Sequence, residues 1–264
     1  MNYLNFNHLN TDVILQKLKN DGYFIQENVI PKDFFKSIQN FWINQSREIK
    51  KTNNIFTRGM INFVGQENEI SFSKNKDDCF YRYHEFLWND GISDESISLI
   101  KELNFFRNKI LDINGDYGVS LNKDNYYLFM ASLVYPNKTG CLSEHKDTKE
   151  NKVVLHLYLP ITFKNVHFEH GGLYIINKNN EKINLDEKAS EGSIVFFNGA
   201  YRHGVDKVVS SHNNDRIALY PMCAKFFNRS GSSALMKKLF KAEMKIKEIF
   251  HKKKFESGLL AIDK

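Results

Sequence analysis

The segment from Gly192 to Gly204 reads GSIVFFNGAYRHG. A β-prone run at 193–197 is followed by the turn-forming pair Asn198-Gly199, and a second β-prone run covers 203–209. Runs of β-branched and aromatic residues between turn residues are typical of short strands. The same pattern recurs at 127–135, 153–159, 173–176 and 216–222. Several short strands with few helices between them predict a mainly β protein with flanking helices and a β-sandwich or jelly-roll core.

The N-terminal part of the chain, residues 1–125, has a mixed pattern. Apolar residues at helical spacing predict a helix from Thr11 to Lys19, the run Tyr23-Phe24-Ile25 predicts a strand, and Ile30-Pro31 precedes a second helix. A third helical segment is predicted near 93–113. The rest of this part carries no pattern that assigns it to helix or strand, so we expect it to support the core.

The excess positive charge lies mainly near the C-terminus. The chain has 37 basic and 31 acidic residues, a formal net charge of +6, and Lys237 to Lys254 reads KKLFKAEMKIKEIFHKKK. Apolar residues at helical spacing in this tail predict a basic amphipathic helix over 231–264. We therefore predict one domain over 1–264, with a support region at 1–125, a jelly-roll core at 126–230 and this C-terminal helix.

Cysteine content and hydropathy indicate the cellular compartment. The three cysteines, Cys79, Cys141 and Cys223, are odd in number, far apart and without a C-x-x-C pair. This usage fits a reducing cytoplasm. The sequence has no continuous apolar signal segment at its start and no run long enough to span a bilayer. We therefore expect a cytoplasmic protein without membrane insertion.

A candidate metal site begins in the segment from Ser143 to Thr148, which reads SEHKDT. His145 and Asp147 are separated by one residue, and alternate residues of an extended strand point to the same face. His203 supplies a third ligand at the start of a later strand. Two histidines and one carboxylate leave three positions open on an iron ion, enough for an oxo acid and dioxygen. Taken alone, the same H-x-D is also typical of a solvated turn.

The order of motifs around these residues is more specific than the residues themselves. In chain order the motifs are Val134-Tyr135-Pro136, His145/Asp147, Tyr158-Leu159-Pro160, Gly171-Gly172-Leu173, Val195-Phe196-Phe197, His203 and Arg216. In this order the sequence resembles the 2-oxoglutarate- and iron(II)-dependent dioxygenase superfamily, in its prolyl 4-hydroxylase-like branch, while Asp21 to Ile30 resembles phytanoyl-CoA dioxygenase-like members. The resemblance covers about Tyr127 to Phe227. It implies a double-stranded β-helix (jelly roll), with Fe(II) held by His145, Asp147 and His203 and with 2-oxoglutarate and O2 as co-substrates.

Arg216 is the candidate partner of the distal carboxylate of 2-oxoglutarate. A guanidinium offers a carboxylate both charge and two parallel donors, and Arg216 opens the apolar run Ile217-Ala218-Leu219-Tyr220, where an inward-facing cation needs a partner. A surface salt bridge is the other interpretation. The resemblance further implies that Tyr158 shares the distal carboxylate and that Tyr135 reaches the iron-proximal end, although either is equally explained as a core tyrosine. His156 lies on the strand face of Tyr158, where it could line the pocket, although a structural role is favoured for it.

These residues predict a hydroxylase that acts on a small molecule or a biosynthetic intermediate and releases succinate and CO2. Asp147 disfavours halogenation, for which related enzymes replace this carboxylate with a small residue. Two alternatives stay open: a peptidyl (prolyl-type) hydroxylase, and a non-catalytic binding protein with a basic C-terminal docking helix. We expect that helix to pack on the core or on a second subunit of a homo-oligomer rather than on nucleic acid. Substrate contacts are expected from loops and added helices, here residues 46–124 and the C-terminal helix, which carry no motif.

Overall fold

The computed structural model describes residues 4, 6, 9–51, 69–74, 78–86, 93–119, 126–148, 153–225 and 261–262. The helices are α1 (Thr11–Asn20), α2 (Lys32–Lys51), α3 (Asp94–Ile110) and α4 (Leu185–Lys188). The strands are β1 (Tyr23–Gln26), β2 (Glu69–Lys74), β3 (Cys79–Phe86), β4 (Tyr126–Tyr135), β5 (Leu142–His145), β6 (Val153–Pro160), β7 (His170–Ile176), β8 (Lys182–Asn184), β9 (Ile194–Asn198), β10 (Arg202–Val209), β11 (Arg216–Lys225) and β12 (Ala261–Ile262). Each of the six strands predicted in the core starts within three residues of the corresponding strand in the structure. The three predicted N-terminal helices start equally close to α1, α2 and α3.

The strands form two antiparallel sheets. The larger has eight strands in the order β1-β9-β6-β11-β4-β3-β2, with β12 added beside β6, and the smaller has four in the order β5-β10-β7-β8. Most neighbours in these orders are distant along the chain, as the crossing connections of a jelly roll require. The prediction of a mainly β fold with flanking helices and a jelly-roll core is confirmed.

Strands β6 and β9 lie between two apolar cores. Leu155 and Leu157 of β6 belong to a core that also contains residues of α1, α2 and α3. Tyr158 of β6 and Phe197 of β9 belong to a second core, which they share with residues of the smaller sheet. Because alternate residues of a strand point to opposite faces, His156 shares the inter-sheet face with Tyr158. The inner face of β6 therefore carries polar groups into the space between the sheets.

The C-terminal end of α1 holds the loop between β9 and β10. The Asn198 amide nitrogen donates to the Leu18 carbonyl over 3.3 Å, and the Tyr201 hydroxyl donates to the Lys19 carbonyl over 2.8 Å. The backbone N–H of Asn198 donates to the carbonyl of Gly22 over 2.8 Å. Gly22 has a φ of 86°, a left-handed conformation that glycine adopts without strain. The packing of α1 thus fixes the loop that leads into His203.

Strands from the N-terminal part of the chain belong to the larger sheet. β1 pairs with β9, and β3 pairs with both β2 and β4. The aromatic cluster at 80–83, which the sequence leaves unassigned, lies in β3. The described residues within 1–125 therefore extend the sheet as well as covering it with helices, and the single-domain organisation over 1–264 stays a prediction.

The predicted C-terminal helix over 231–264 lies outside the described residues except at Ala261–Ile262, where the prediction is wrong. These two residues form β12 and pair with Val154 and Val153 of β6. Their backbone groups find hydrogen-bond partners where β6 extends beyond its pairing with β11. A subunit contact through a C-terminal helix has no support in the part of the chain that the structure describes. Among the described helices, none combines the length and the apolar character that crossing a bilayer requires.

Candidate active site

His145, Asp147 and His203 come together at one end of the smaller sheet. His145 ends β5 and is the register partner of His203 in the neighbouring strand β10. Asp147 lies two residues beyond β5, where its backbone N–H donates to the Gly199 carbonyl over 2.9 Å. One ligand atom of each residue lies within 4.8 Å of the others. The three predicted ligands therefore form one candidate metal site.

Hydrogen bonds to backbone carbonyls set the tautomer of both histidines. Nδ1 of His145 lies 2.9 Å from the Ser143 carbonyl oxygen, and Nδ1 of His203 lies 2.9 Å from the Tyr201 carbonyl oxygen. A carbonyl oxygen only accepts, so each Nδ1 carries the proton and each Nε2 presents a lone pair. These Nε2 atoms lie 3.7 and 3.5 Å from carboxylate oxygens of Asp147. Two lone pairs and an anion that face one another repel unless a cation lies among them.

The protonation states also suit metal binding. His203 is 4% exposed, and burial, which disfavours the charged ring, lowers its pKa to about 4. Burial acts to raise the pKa of Asp147, but the hydrogen bond from His156 and the neighbouring histidines outweigh it, so the pKa of Asp147 is lowered. At neutral pH the site therefore offers the neutral imidazole of His203 and the ionised carboxylate of Asp147, the forms that a metal ion binds.

His156 contacts the metal site directly, which the sequence did not predict. Its Nε2 lies 2.7 Å from Oδ2 of Asp147, and since an ionised carboxylate only accepts, Nε2 is the donor. The imidazole stacks on the Phe197 ring, with centroids 4.5 Å apart and an interplanar angle of 13°. Strand alternation predicts that His156 lies on the inner face of β6. Its contact with Asp147, which follows β5, could not be predicted from the sequence around either residue.

Gly199 is the second residue of the site that sequence reasoning missed. A Cβ atom at this position would overlap Oδ2 of Asp147 and would lie 2.7 Å from Nε2 of His156. In the sequence, Gly199 belongs to the turn-forming pair Asn198-Gly199 at the end of a strand, and this pattern gives Gly199 no role in a metal site. Its glycine in fact lets the chain pass close behind the carboxylate.

Arg216 is buried in a salt bridge rather than exposed. It is 1% exposed, and its Nε and Nη2 donate to the two carboxylate oxygens of Asp186 over 2.5 and 3.0 Å. The same carboxylate accepts the Tyr158 hydroxyl over 3.0 Å and the Leu173 backbone N–H over 2.7 Å. Asp186 was not predicted. It lies in α4 and joins this short helix to three strands of the two sheets.

One nitrogen of Arg216 is left for a ligand. Nη1 is buried and has no hydrogen-bond partner, which among the described residues holds for one other buried side-chain atom, Oγ of Ser132. Burial disfavours the charge on Arg216, but Asp186 outweighs that cost and raises the arginine pKa, so the guanidinium stays charged. Asp186 occupies the edge formed by Nε and Nη2. The edge formed by Nη1 and Nη2 can therefore receive a second carboxylate, which fits the distal group of 2-oxoglutarate.

The two tyrosines predicted to contact the co-substrate both flank Arg216. The ring centroids of Tyr135 and Tyr158 lie 5.2 and 5.7 Å from the guanidinium carbon. Burial, followed by the charge of Asp186, raises the pKa of Tyr158, so its hydroxyl remains a donor. Tyr135 is the register partner of Arg216 on β4. The contacts of these tyrosines with a bound co-substrate stay predictions.

The Gly171-Gly172 pair allows Asp186 to approach β7. Both glycines have left-handed φ angles, 89° and 104°, and a Cβ at Gly172 would lie 2.7 Å from Oδ2 of Asp186. Asn184 donates to the Gly171 carbonyl over 2.8 Å. The Gly171-Gly172 motif therefore makes room for the carboxylate that pairs with Arg216, although the motif itself does not indicate that this carboxylate belongs to Asp186.

Comparisons with solved structures agree with this architecture. No protein-family model matches the chain, and no curated protein matches it in sequence. A prolyl-4-hydroxylase from Pseudomonas putida is 13% identical, with a TM-score of 0.54 over 83% of this chain and 100% of that one. An oxidoreductase of the 2OG-Fe(II) oxygenase family from Burkholderia pseudomallei is 11% identical, with a TM-score of 0.50 over 86% of this chain and 96% of that one.

A third similar structure is the non-heme α-ketoglutarate-dependent carbocyclase SnoK from nogalamycin biosynthesis. It is 11% identical, with a TM-score of 0.53 over 88% of this chain and 92% of that one. Identities this low describe backbone architecture and not activity. The resemblance read from the sequence is thereby confirmed at the level of the fold: the chain has the jelly-roll fold found in 2-oxoglutarate- and iron(II)-dependent oxygenases.

Proposed function

We propose that this chain is an Fe(II)- and 2-oxoglutarate-dependent oxygenase of the cytoplasm, which hydroxylates a small molecule or a biosynthetic intermediate and releases succinate and CO2. The observation that carries this proposal is the convergence of two Nε2 lone pairs and one carboxylate at His145, His203 and Asp147. A buried arginine with an unpartnered nitrogen supports it. The convergent ligand groups fit a metal cation, and the unpartnered arginine nitrogen fits a hydrogen-bond acceptor such as the distal carboxylate of 2-oxoglutarate.

The three ligands would hold Fe(II) through Nε2 of each histidine and one oxygen of Asp147. When bound there, Fe(II) supplies the coupled activation of dioxygen and oxidative decarboxylation of 2-oxoglutarate. The chain's own contribution is to keep the buried His203 imidazole neutral and to orient both imidazoles through the Ser143 and Tyr201 carbonyls.

Arg216 would bind the distal carboxylate of 2-oxoglutarate through the edge that contains Nη1. Asp186 already accepts from Nε and Nη2, so the guanidinium cannot rotate that edge away without losing two hydrogen bonds. The single O–H of Tyr158 is donated to Asp186. Tyr158 would therefore affect co-substrate binding mainly by holding the Asp186 carboxylate, which in turn holds Arg216.

The preference for a small substrate over a peptide rests on the sequence interpretation alone. A prolyl-4-hydroxylase and a carbocyclase match the fold about equally well, with TM-scores of 0.54 and 0.53, so the fold does not select between them. Exposure of the iron-loaded enzyme to metabolite extracts and to peptide libraries separates the two classes. A gain of one oxygen atom in a small molecule supports the proposal, whereas a gain in peptides alone supports the peptidyl hydroxylase.

The direct test needs no knowledge of the prime substrate. Under anaerobic conditions, the Fe(II)-loaded wild-type chain is expected to bind one 2-oxoglutarate. Admission of O2, with ascorbate present as the two-electron donor that reduces the second oxygen atom to water, is expected to yield succinate and CO2 in equal amounts. The variants His145→Ala and Asp147→Ala should lose both binding and turnover because the ion is lost. Wild-type protein that binds no 2-oxoglutarate, or variants that turn over like wild type, would refute the proposal.

Substitution of Arg216 tests the co-substrate site separately from the metal site. Arg216→Lys keeps a positive charge but loses the two-nitrogen edge. Loss of charge-assisted hydrogen bonds worth about 1.5–3 kcal/mol corresponds to roughly a 10- to 150-fold weaker affinity. We expect the affinity for 2-oxoglutarate to fall by about that factor in calorimetry, while the affinity for Fe(II) remains near that of wild type.

A further inference from the structure

His156 is a half-buried histidine on the inner face of β6, and it is hydrogen-bonded to a candidate metal ligand. We propose that it is a positioning residue, which holds the Asp147 carboxylate so that one oxygen, and not both, binds the metal ion. This inference rests on the proposed function, because it concerns the same metal site. It assigns a specific role to a residue for which the sequence favours only a structural one.

The contact between the two side chains is directional. Nε2–H of His156 donates to Oδ2 of Asp147 over 2.7 Å, and this oxygen also lies 3.5 Å from Nε2 of His203. Oδ1 of the same carboxylate faces Nε2 of His145 at 3.7 Å and accepts no hydrogen bond from His156. The Asp147 backbone is held as well, by its hydrogen bond to the Gly199 carbonyl. With the backbone fixed at one end and Oδ2 at the other, rotation of the carboxylate group costs a hydrogen bond.

The imidazole of His156 is itself held by rigid elements. His156 is the register partner of Phe197 in the β6–β9 pair, and the two rings stack. Its chain neighbours Leu155 and Leu157 are buried in the opposite core, which prevents the strand from turning over. A residue on a paired strand with a packed ring can hold a ligand more tightly than a residue on a loop.

The number of oxygens that Asp147 offers decides how many coordination positions remain. With two histidines and a one-oxygen carboxylate, a six-coordinate ion keeps three open positions, which suffice for a chelating 2-oxo acid and dioxygen. A carboxylate that binds through both oxygens removes one of them. A hydrogen bond to Oδ2 favours the one-oxygen arrangement, so loss of the donor is expected to alter both the affinity and the coordination of the ion.

Two substitutions of His156 separate the hydrogen bond from the bulk of the side chain. His156→Gln places an N–H donor near the position of Nε2, whereas His156→Leu fills similar space without any donor. His167→Leu is the matched control: this half-buried histidine accepts the Phe163 backbone N–H over 3.1 Å and belongs to no part of the metal site. If His156→Leu does not fold, His156→Val provides a smaller, strand-compatible variant that also lacks a donor.

The experiment measures anaerobic Co(II) binding by calorimetry together with the visible absorption of the bound Co(II), which reports coordination number. Removal of a residue that orients a metal ligand typically weakens metal binding about 10- to 100-fold. We expect that loss and an altered spectrum for His156→Leu. For His156→Gln and His167→Leu we expect affinities within about threefold of wild type and the wild-type spectrum.

Two results would overturn the inference while leaving the proposed function intact. One is a His156→Leu protein that binds Co(II) as tightly as wild type with the same spectrum. The other is equal weakening in His156→Gln and His156→Leu, since the donor would then not be the cause. His145→Ala, measured in parallel, isolates the proposed function. If wild type binds no Co(II), or if His145→Ala binds it equally well, the metal site fails and this inference fails with it.

Discussion

At the scale of single residues, Gly199 shows how little space the metal site leaves. A Cβ atom there would overlap Oδ2 of Asp147, and the Gly199 carbonyl accepts the Asp147 backbone N–H over 2.9 Å. The φ angle of Gly199 is outside the left-handed region, so glycine is required for space and not for conformation. Asp147 can occupy its position only because Gly199 lacks a side chain.

Gly199→Ala is therefore expected to damage the metal site more than the fold. The methyl group must displace Asp147 or His156, so we predict a loss of Co(II) affinity of at least about tenfold, with a destabilisation of about 1–3 kcal/mol. Gly115→Ala is the control, because its Cβ meets only the Phe105 ring at 2.9 Å, and Phe105 is exposed enough to move. An unchanged Co(II) affinity in Gly199→Ala would contradict the described geometry.

His167 gives the fold a pH dependence that is independent of the metal. Burial lowers the pKa of His167, and its Nδ1 can accept the Phe163 N–H only while it is unprotonated. Below the ordinary histidine pKa of about 6.5, the unfolded chain binds this proton more readily than the folded one. The stabilising contribution is thus present above that pH and is lost as the pH falls.

His167→Asn should remove this part of the pH dependence, because an amide oxygen accepts the same N–H without titrating. We predict that the free energy of unfolding falls less between pH 7 and pH 5 in the variant than in wild type. Urea unfolding at both pH values, with a chelator present throughout, measures the difference. Equal losses in the two proteins would show that His167 does not contribute.

At the scale of secondary-structure elements, β6 and α4 mark what sequence patterns could and could not predict. The alternation in Val153–Pro160 correctly placed His156 and Tyr158 on one face, because the period of a strand is a local property. The position of Asp186 in α4 was not predictable in this way. It lies in a short polar segment, and its partner Arg216 is 30 residues away along the chain, so only the tertiary fold brings the two charges together.

The Asp186–Arg216 pair should be strongly coupled in stability. Removing one partner of a buried ion pair typically costs about 3–5 kcal/mol, whereas replacing both with apolar residues of similar volume is often nearly neutral. We predict a loss of that size for each of the single variants Asp186→Leu and Arg216→Met, and part of it recovered in the double variant Asp186→Leu/Arg216→Met, in which the Tyr158 and Leu173 donors lose their acceptor. Chemical denaturation of both single variants and the double variant gives the coupling energy. A coupling below about 1 kcal/mol would indicate that the pair is not closely held.

At the scale of the whole molecule, the jelly roll was predictable from six short strands, but its extent was not. Residues 69–86 were left unassigned, yet β2 and β3 lengthen the larger sheet beyond β4. Strand pairing between distant segments depends on the tertiary fold and leaves little trace in local composition. At the C-terminus the sequence predicts a helix that continues to residue 264. In the structure, Ala261–Ile262 instead pair as a strand with β6.

The metal site connects the two sheets and should therefore stabilise the whole fold. His145 and His203 lie on the smaller sheet, while His156 of the larger sheet donates to Asp147. A ligand at 100 times its dissociation constant adds about 2.7 kcal/mol to the folded state. We predict a higher Tm for wild type with Mn(II) than with a chelator and no such shift for His203→Ala. An equal shift in both proteins would place the binding elsewhere.

The most direct test of the metal site is anomalous diffraction from crystals grown anaerobically with Mn(II) and 2-oxoglutarate. The predicted result is one Mn(II) ion, located by its anomalous peak and bonded to Nε2 of His145, Nε2 of His203 and one oxygen of Asp147. The distal carboxylate of 2-oxoglutarate is expected on the Nη1 edge of Arg216. A peak at other residues, or an ion bound by His156 in place of Asp147, would contradict this assignment.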